Sequence, residues 1–186
     1  KMKEIILDKN EKKDLSIHLD ESREFSITLN ENAELNLMII LTSSNELDSK
    51  INFNIELKEN SKLNFINLQK FSSEMINSLQ RNVKLEKNSL FNLFDLNFGG
   101  KIINSNVNVD LAGENSRFEH FGVFVSNKDQ VFNFNVNAIH NAPNTYSNML
   151  TKGALNDKSK SFYNGLIKIN KNASNSNGYQ KQESIL

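Results

Sequence analysis

Apolar and polar residues alternate along most of this chain. Phe132, Phe134, Val136 and Ala138 alternate with Asn133, Asn135 and Asn137. Ile51, Phe53, Ile55 and Leu57 alternate with Asn52, Asn54 and Glu56, and Val107, Val109 and Leu111 with Asn106, Asn108 and Asp110. A period of two sends successive side chains to opposite faces of a strand, so each block predicts a strand with one buried face. The apolar members are mostly Val, Ile, Leu and Phe, which suit a pleated surface. Phe71–Gln80 is the one segment that could form a helical turn, and it falls in a break between blocks. The pattern predicts an all-β protein.

The blocks repeat. A leucine closes a strand, a few polar residues turn the chain, and a small residue opens the next strand. The unit reads Leu29-Asn-Glu-Asn-Ala33, Leu57-Lys-Glu-Asn-Ser61, Leu85-Glu-Lys-Asn-Ser89, Leu111-Ala-Gly-Glu-Asn-Ser116 and Leu155-Asn-Asp-Lys-Ser159, with a looser copy at Leu19-Asp-Glu-Ser22. Leu29, Leu57, Leu85 and Leu111 are 28, 28 and 26 residues apart, and a further 28 lands on Ile139. A second set of polar breaks falls near Thr42–Lys50, Lys70–Arg81, Phe98–Asn106 and Ser126–Gln130. Each period thus holds two strands and two turns, the length of one coil of a flattened solenoid. An antiparallel sandwich would alternate in the same way. The regular two-turn period favours a right-handed parallel β-helix, one domain over residues 1–186 with coils of about 26–28 residues. Residues one period apart then stack: Phe65 with Leu93 and His120, and Leu63 with Phe91 and Phe118.

Composition narrows the function. The 22 basic and 22 acidic residues balance, and no Lys/Arg cluster supplies a phosphate-tracking surface, so nucleic acid is not an expected partner. No cysteine is present, which removes disulfides and thiolate ligands within this stretch. No apolar run approaches a membrane span, and no signal-peptide core follows Lys1-Met2-Lys3-Glu4, so the chain is expected to be cytoplasmic and free of membrane. Lys1–Lys3 reads as an expression remnant or the cut edge of a longer chain. The 32 asparagines repeatedly fill the outward slots of strands. Asn accepts left-handed turns and can stack in ladders between layers.

Candidate chemistry is sparse. His18 lies about four coils from His120 and His140, and no evident ligand set surrounds any of the three. His120 reads as a core or rim residue with one satisfied nitrogen. His140 keeps the buried parity of its strand and precedes the turn Asn141-Ala142-Pro143-Asn144 and the hydroxyls of Thr145, Tyr146 and Ser147. A serine near a histidine is one requirement of nucleophilic catalysis. Without a third member or a strand-to-helix elbow, His140 reads instead as a corner residue bonded to backbone groups. Gly99-Gly100 is too short for a phosphate loop. Asp95 and Asp110 read as isolated surface or turn residues.

The run Ile139-His140-Asn141-Ala142-Pro143-Asn144-Thr145-Tyr146-Ser147 resembles the His-x-x-Pro-Asn-x-x-Ser turn of the SufB/SufD family, the scaffold proteins of Suf iron–sulfur cluster assembly. Lys152-Gly153-Ala154-Leu155 resembles the family's Lys-Gly-Val-Leu step, and Ser161-Phe162-Tyr163-Asn164-Gly165-Leu166-Ile167 its Ser-x-Phe-x-Gly-x-Ile step. Ala173, Gln180 and Ser184-Ile185-Leu186 fit the approach that follows. Phe162 and Gln180 point to the SufD branch. The resemblance implies a non-catalytic scaffold built on a parallel β-helix, working as a SufB–SufD pair with the ATPase SufC. It places the family's cluster-related Cys, Glu and His beyond Leu186, so the chain reads as C-terminally truncated. No catalytic, cofactor or metal residue is carried over, and a cluster is expected only transiently, on the full complex. His140, Pro143, Asn144, Ser147, Gly153 and Gly165 match the motifs and are expected to shape corners. A bare final coil would present an unpaired edge, so a homodimer or edge-to-edge contact is expected. The alternatives from other classes are a carbohydrate-active β-helix enzyme and a secreted β-solenoid adhesin.

Overall fold

A computed structural model describes residues 2–43 and 48–186. The described chain is all strand and turn, wound into a parallel β-solenoid of about six turns. One sheet stacks β1 (Met2–Leu7), β3 (Arg23–Leu29), β5 (Asp48–Leu57), β7 (Ile76–Leu85), β9 (Ile102–Leu111), β11 (Val131–His140) and β13 (Lys160–Ile169). The other stacks β2 (Lys12–Leu19), β4 (Glu34–Thr42), β6 (Lys62–Phe71), β8 (Leu90–Gly99), β10 (Arg117–Ser126), β12 (Tyr146–Leu155) and β14 (Asn177–Ile185). We call them the odd and even sheets. Register partners on neighbouring coils lie 22 residues apart in the first coils and 26 to 31 apart further on.

The expected columns are present. Leu7, Leu29, Leu57, Leu85 and Leu111 stack in register down one inner corner. Phe65, Leu93 and His120 form a second column, and Leu63, Phe91 and Phe118 a third. Phe25 and Phe53 stack face to face at 4.7 Å, and Phe91 and Phe118 at 5.5 Å. The two inner faces close on each other and leave these side chains fully buried. No coil could bury its apolar side alone, so stability comes from the stack.

Asparagine sets the turns. Asn10, Asn32, Asn60, Asn88, Asn115, Asn144 and Asn175 have φ between 56° and 63°. This left-handed conformation strains residues with a branched or bulky Cβ, and Asn tolerates it best after glycine. The turns also stack. The amide N–H of Asn32 donates to Glu59, that of Asn60 to Lys87 and that of Asn88 to Glu114, so backbone bonding continues round the corner. Side-chain amides add a ladder from Asn115 to Asn88 and from Asn88 to Asn60.

Four expectations change. The leucine column continues through His140, one residue beyond Ile139, because the next coil is a residue longer. Leu19 and Leu155 pair with Leu41 and Ser126 in the even sheet, so their turns belong to the opposite corner. A polar turn after a leucine occurs at both corners and does not tell them apart. Phe71–Gln80 forms no helix: β6 ends at Phe71, Ser72–Met75 turn, and β7 begins at Ile76. The break expected over Lys70–Arg81 is thus mostly strand. Its polar residues misled because Asn77 and Arg81 point into the interior. Part of the Thr42–Lys50 break, at 44–47, and Lys1 lie outside the described residues.

Candidate functional site

The motif residues fall into two groups. His140 ends β11, Ser147 enters β12, and Pro143 and Asn144 form the corner between them. Gly153 and Gly165 lie apart, in β12 and β13. A Cβ on Gly153 would strike the Phe124 ring at 2.0 Å, and one on Gly165 would meet Gln180 Oε1 at 2.3 Å. Gly153 makes room for a ring on the neighbouring coil, and Gly165 for a side chain of the facing sheet.

His140 replaces leucine in the corner column and is fully buried. Its Nδ1 lies 2.7 Å from Thr145 Oγ1 and its Nε2 2.9 Å from Ser147 Oγ. These partners are hydroxyls, where backbone groups were expected. Thr145 Oγ1 also contacts the Ala142 carbonyl at 3.1 Å and Ser176 Oγ at 2.7 Å. Ser176 Oγ accepts from the Thr145 amide and donates to the same carbonyl. With the Thr145 proton committed to that cluster, His140 Nδ1–H donates to Thr145 and Ser147 O–H donates to Nε2. Burial lowers the His140 pKa and keeps the ring neutral. Ser147 is buried with the ring, so the pair pins the corner between β11 and β12 and offers a substrate no approach, while Thr145 and Ser176 tie that corner to the next coil.

A second polar group lies inside the solenoid, and the sequence reading missed it. Arg81 in β7, Asp95 in β8 and His120 in β10 are all buried. The Arg81 guanidinium donates to Asp95 Oδ1 and, through Nη2 at 2.6 Å, to Ser105 Oγ. His120 Nε2 lies 3.2 Å from Asp95 Oδ2. Burial alone would raise the Asp95 pKa; the Arg81 charge and the His120 hydrogen bond outweigh it and hold the carboxyl well below the ordinary range. A small cavity of about 10 Å³ adjoins the group, lined by Asp95, Ser105, His120 and Thr151 among others. His120 thus has one satisfied nitrogen, as expected, whereas Asp95 is a core ion and not a surface residue. The signal was parity: Arg81 shares the inward register of Leu79, Val83 and Leu85.

Among the described residues, no three of His, Asp and Glu converge as a metal-sized cluster. His18 is exposed in β2, far from the other two histidines. Asp110 accepts from Asn141 on the outer surface.

A parallel solenoid with a sealed core, amide-laddered outer corners and a buried His–Ser bolt is a structural framework rather than an open cleft. The sequence profile of the SUF system FeS cluster assembly SufBD core domain matches residues 18–186, and the chain belongs to this family. It is 38% identical over 76 residues to the iron–sulfur cluster assembly SufBD family protein ycf24 of Porphyra purpurea, covering 41% of this chain and 16% of that protein. A SufBD family protein of Mycobacterium tuberculosis is 30% identical over 92 residues, 50% of this chain and 11% of its own length. A relative in Galdieria sulphuraria is 33% identical over 76 residues, 41% and 34% of the two chains. These alignments span only part of each relative.

Proposed function

We propose that this chain is the non-catalytic scaffold core of a SufD-like component in iron–sulfur cluster assembly. The cluster is cargo, held by groups outside these residues, while the solenoid keeps the partners at fixed spacing. The ordered motif set from His140 to Gln180 within the family match carries this reading. The cytoplasm is the proposed compartment. A SufC-like ATPase and a SufB-like paralogue are the proposed partners. Phe162 and Gln180, by their identity at the motif positions, support the SufD branch over SufB. A carbohydrate-active enzyme would need two carboxylates facing each other in a cleft. Asp95 is sealed in the core and Asp110 is tied to Asn141.

The test is co-expression of the complete gene with a SufC-type ATPase and a SufB-type partner, followed by purification through a tag on this protein. Co-purification of both and cluster reconstitution on the complex are the expected result. Recovery of this protein alone, with no cluster formed, would overturn the proposal.

A further inference from the structure

One inner column of the even sheet has a gap. Its members are Ile17, Ile39, Asn67, Asp95, Gly122, Thr151 and Gln182, and Gly122 alone brings no side chain. Glycine inside a strand costs stability, so it marks a bulge, a bend or the close approach of another group. Strand β10 stays in step with β8 and β12 through Gly122, which rules out a bulge. The glycines with positive φ are Gly99 and Gly100, so Gly122 is not needed for a left-handed backbone. Space is the remaining reason.

That space is not filled by the protein. At Gly153 and Gly165 a neighbouring side chain already occupies the place of a Cβ, at 2.0 and 2.3 Å. At Gly122 the nearest atoms, His120 Cε1 and Thr151 Oγ1, both stand 3.1 Å away. Gly122 lines the small cavity beside the Arg81–Asp95–His120 group, together with Asp95, Asn97, Ser105, His120 and Thr151. Its volume of about 10 Å³ is that of one probe sphere, enough for one water and nothing larger.

The walls of the cavity are polar. Thr151 Oγ1 and Asn97 Oδ1 are buried and have no hydrogen-bond partner within the protein. Ser105 Oγ accepts from Arg81 and still has its own proton to give. Asp95 meets Arg81 at Oδ1 and His120 Nε2 at Oδ2, and each oxygen keeps a further lone pair. Apolar cavities stay dry, whereas a polar one of this size with two to four partners takes a water.

We propose that Gly122 opens a built water site inside the solenoid. One water accepts from the hydroxyls of Thr151 and Ser105 and donates to Asn97 Oδ1 and the Asp95 carboxylate. It ties β8, β9 and β12 together and leaves the buried carboxylate part of its hydration. It also relieves the cost of burying the Thr151 hydroxyl and the Asn97 carbonyl unpaired. The inference rests on the interior alone and is independent of the proposed function.

The experiment uses the 186-residue chain and the variants Gly122→Ala and Thr151→Val. Water-to-protein nuclear Overhauser effects, compared in the laboratory and rotating frames, separate a held water from a passing one by their relative sign. Wild type is expected to show held-water signals at the Gly122 amide and the Thr151 methyl. In Gly122→Ala the added methyl takes the place of the water, so the Thr151 signal is expected to vanish. Oxygen-17 relaxation dispersion is expected to count one held water fewer in that variant. Thr151→Val gives an independent reading through stability. With a water present it removes a donor and is expected to lower the urea midpoint. In a dry cavity the same change replaces an unpaired hydroxyl with a methyl, and the midpoint would hold or rise. Absent held-water signals in wild type, signals that survive Gly122→Ala, or an unchanged or raised midpoint in Thr151→Val would each overturn the proposal.

Discussion

His140 shows what one substitution in a repeating column does. Every coil before it places leucine at that corner, and His140 exchanges apolar packing for bonds to Thr145 and Ser147. Because burial lowers its pKa, the unfolded chain binds the proton more tightly than the folded one. Stability therefore falls as the pH drops below about 6.5, the unfolded histidine value, and the full loss is reached below the folded value. Urea unfolding at pH 7 and pH 5 is expected to show this slope, and His140→Leu is expected to remove its share. Asp95 acts in the same direction in a more acidic window: its depressed pKa contributes stability that is fully present above about pH 3.9 and is lost as the pH falls below it. Asp95→Asn leaves the Arg81 charge buried and is expected to cost about 3–5 kcal/mol, whereas Arg81→Met with Asp95→Val recovers most of that loss. Urea midpoints of the single and double variants check this. The His140 corner was legible because its residues are contiguous. The Arg81–Asp95–His120 group was not, because its members are 14 and 25 residues apart and meet only once the coils stack.

At the scale of the element, the turn asparagines do two jobs that can be separated. Asn88 holds φ at 56° and bonds its side chain to Asn60 and Asn115. Asn88→Ala is expected to lose about 1–2 kcal/mol from the left-handed strain, plus the ladder. Asn88→Gly keeps the backbone and loses only the ladder, so it is expected to cost a few tenths. Chemical denaturation of the pair separates the two contributions. The strands and the leucine period were readable from alternation alone, since a sheet with one buried face writes its parity into the sequence. Strand β7 was the failure: Asn77 and Arg81 are polar and inward, and a reading that equates inward with apolar takes them for a break.

At the scale of the whole molecule, row and column fix every residue. The same lattice that buries the leucines lines up amide ladders on both outer faces and a column of outward apolar side chains, Met38, Ile66, Phe94, Phe121 and Leu150, on the even one. None of these surfaces is visible within a single coil; each appears when coils lie in register. The family relationship fits this design, a rigid stack with a buried core and long flat outer surfaces. The lattice is tested most directly by oxidative cross-linking of cysteine pairs on the outer face of the odd sheet. Asn54→Cys with Asn82→Cys, in register on β5 and β7, is expected to form an intramolecular disulfide in high yield, and Asn54→Cys with Gln80→Cys far less, being one same-face step out of register. Equal yields from the two pairs, or cross-linking of the second alone, would contradict the stacked coils on which the rest depends.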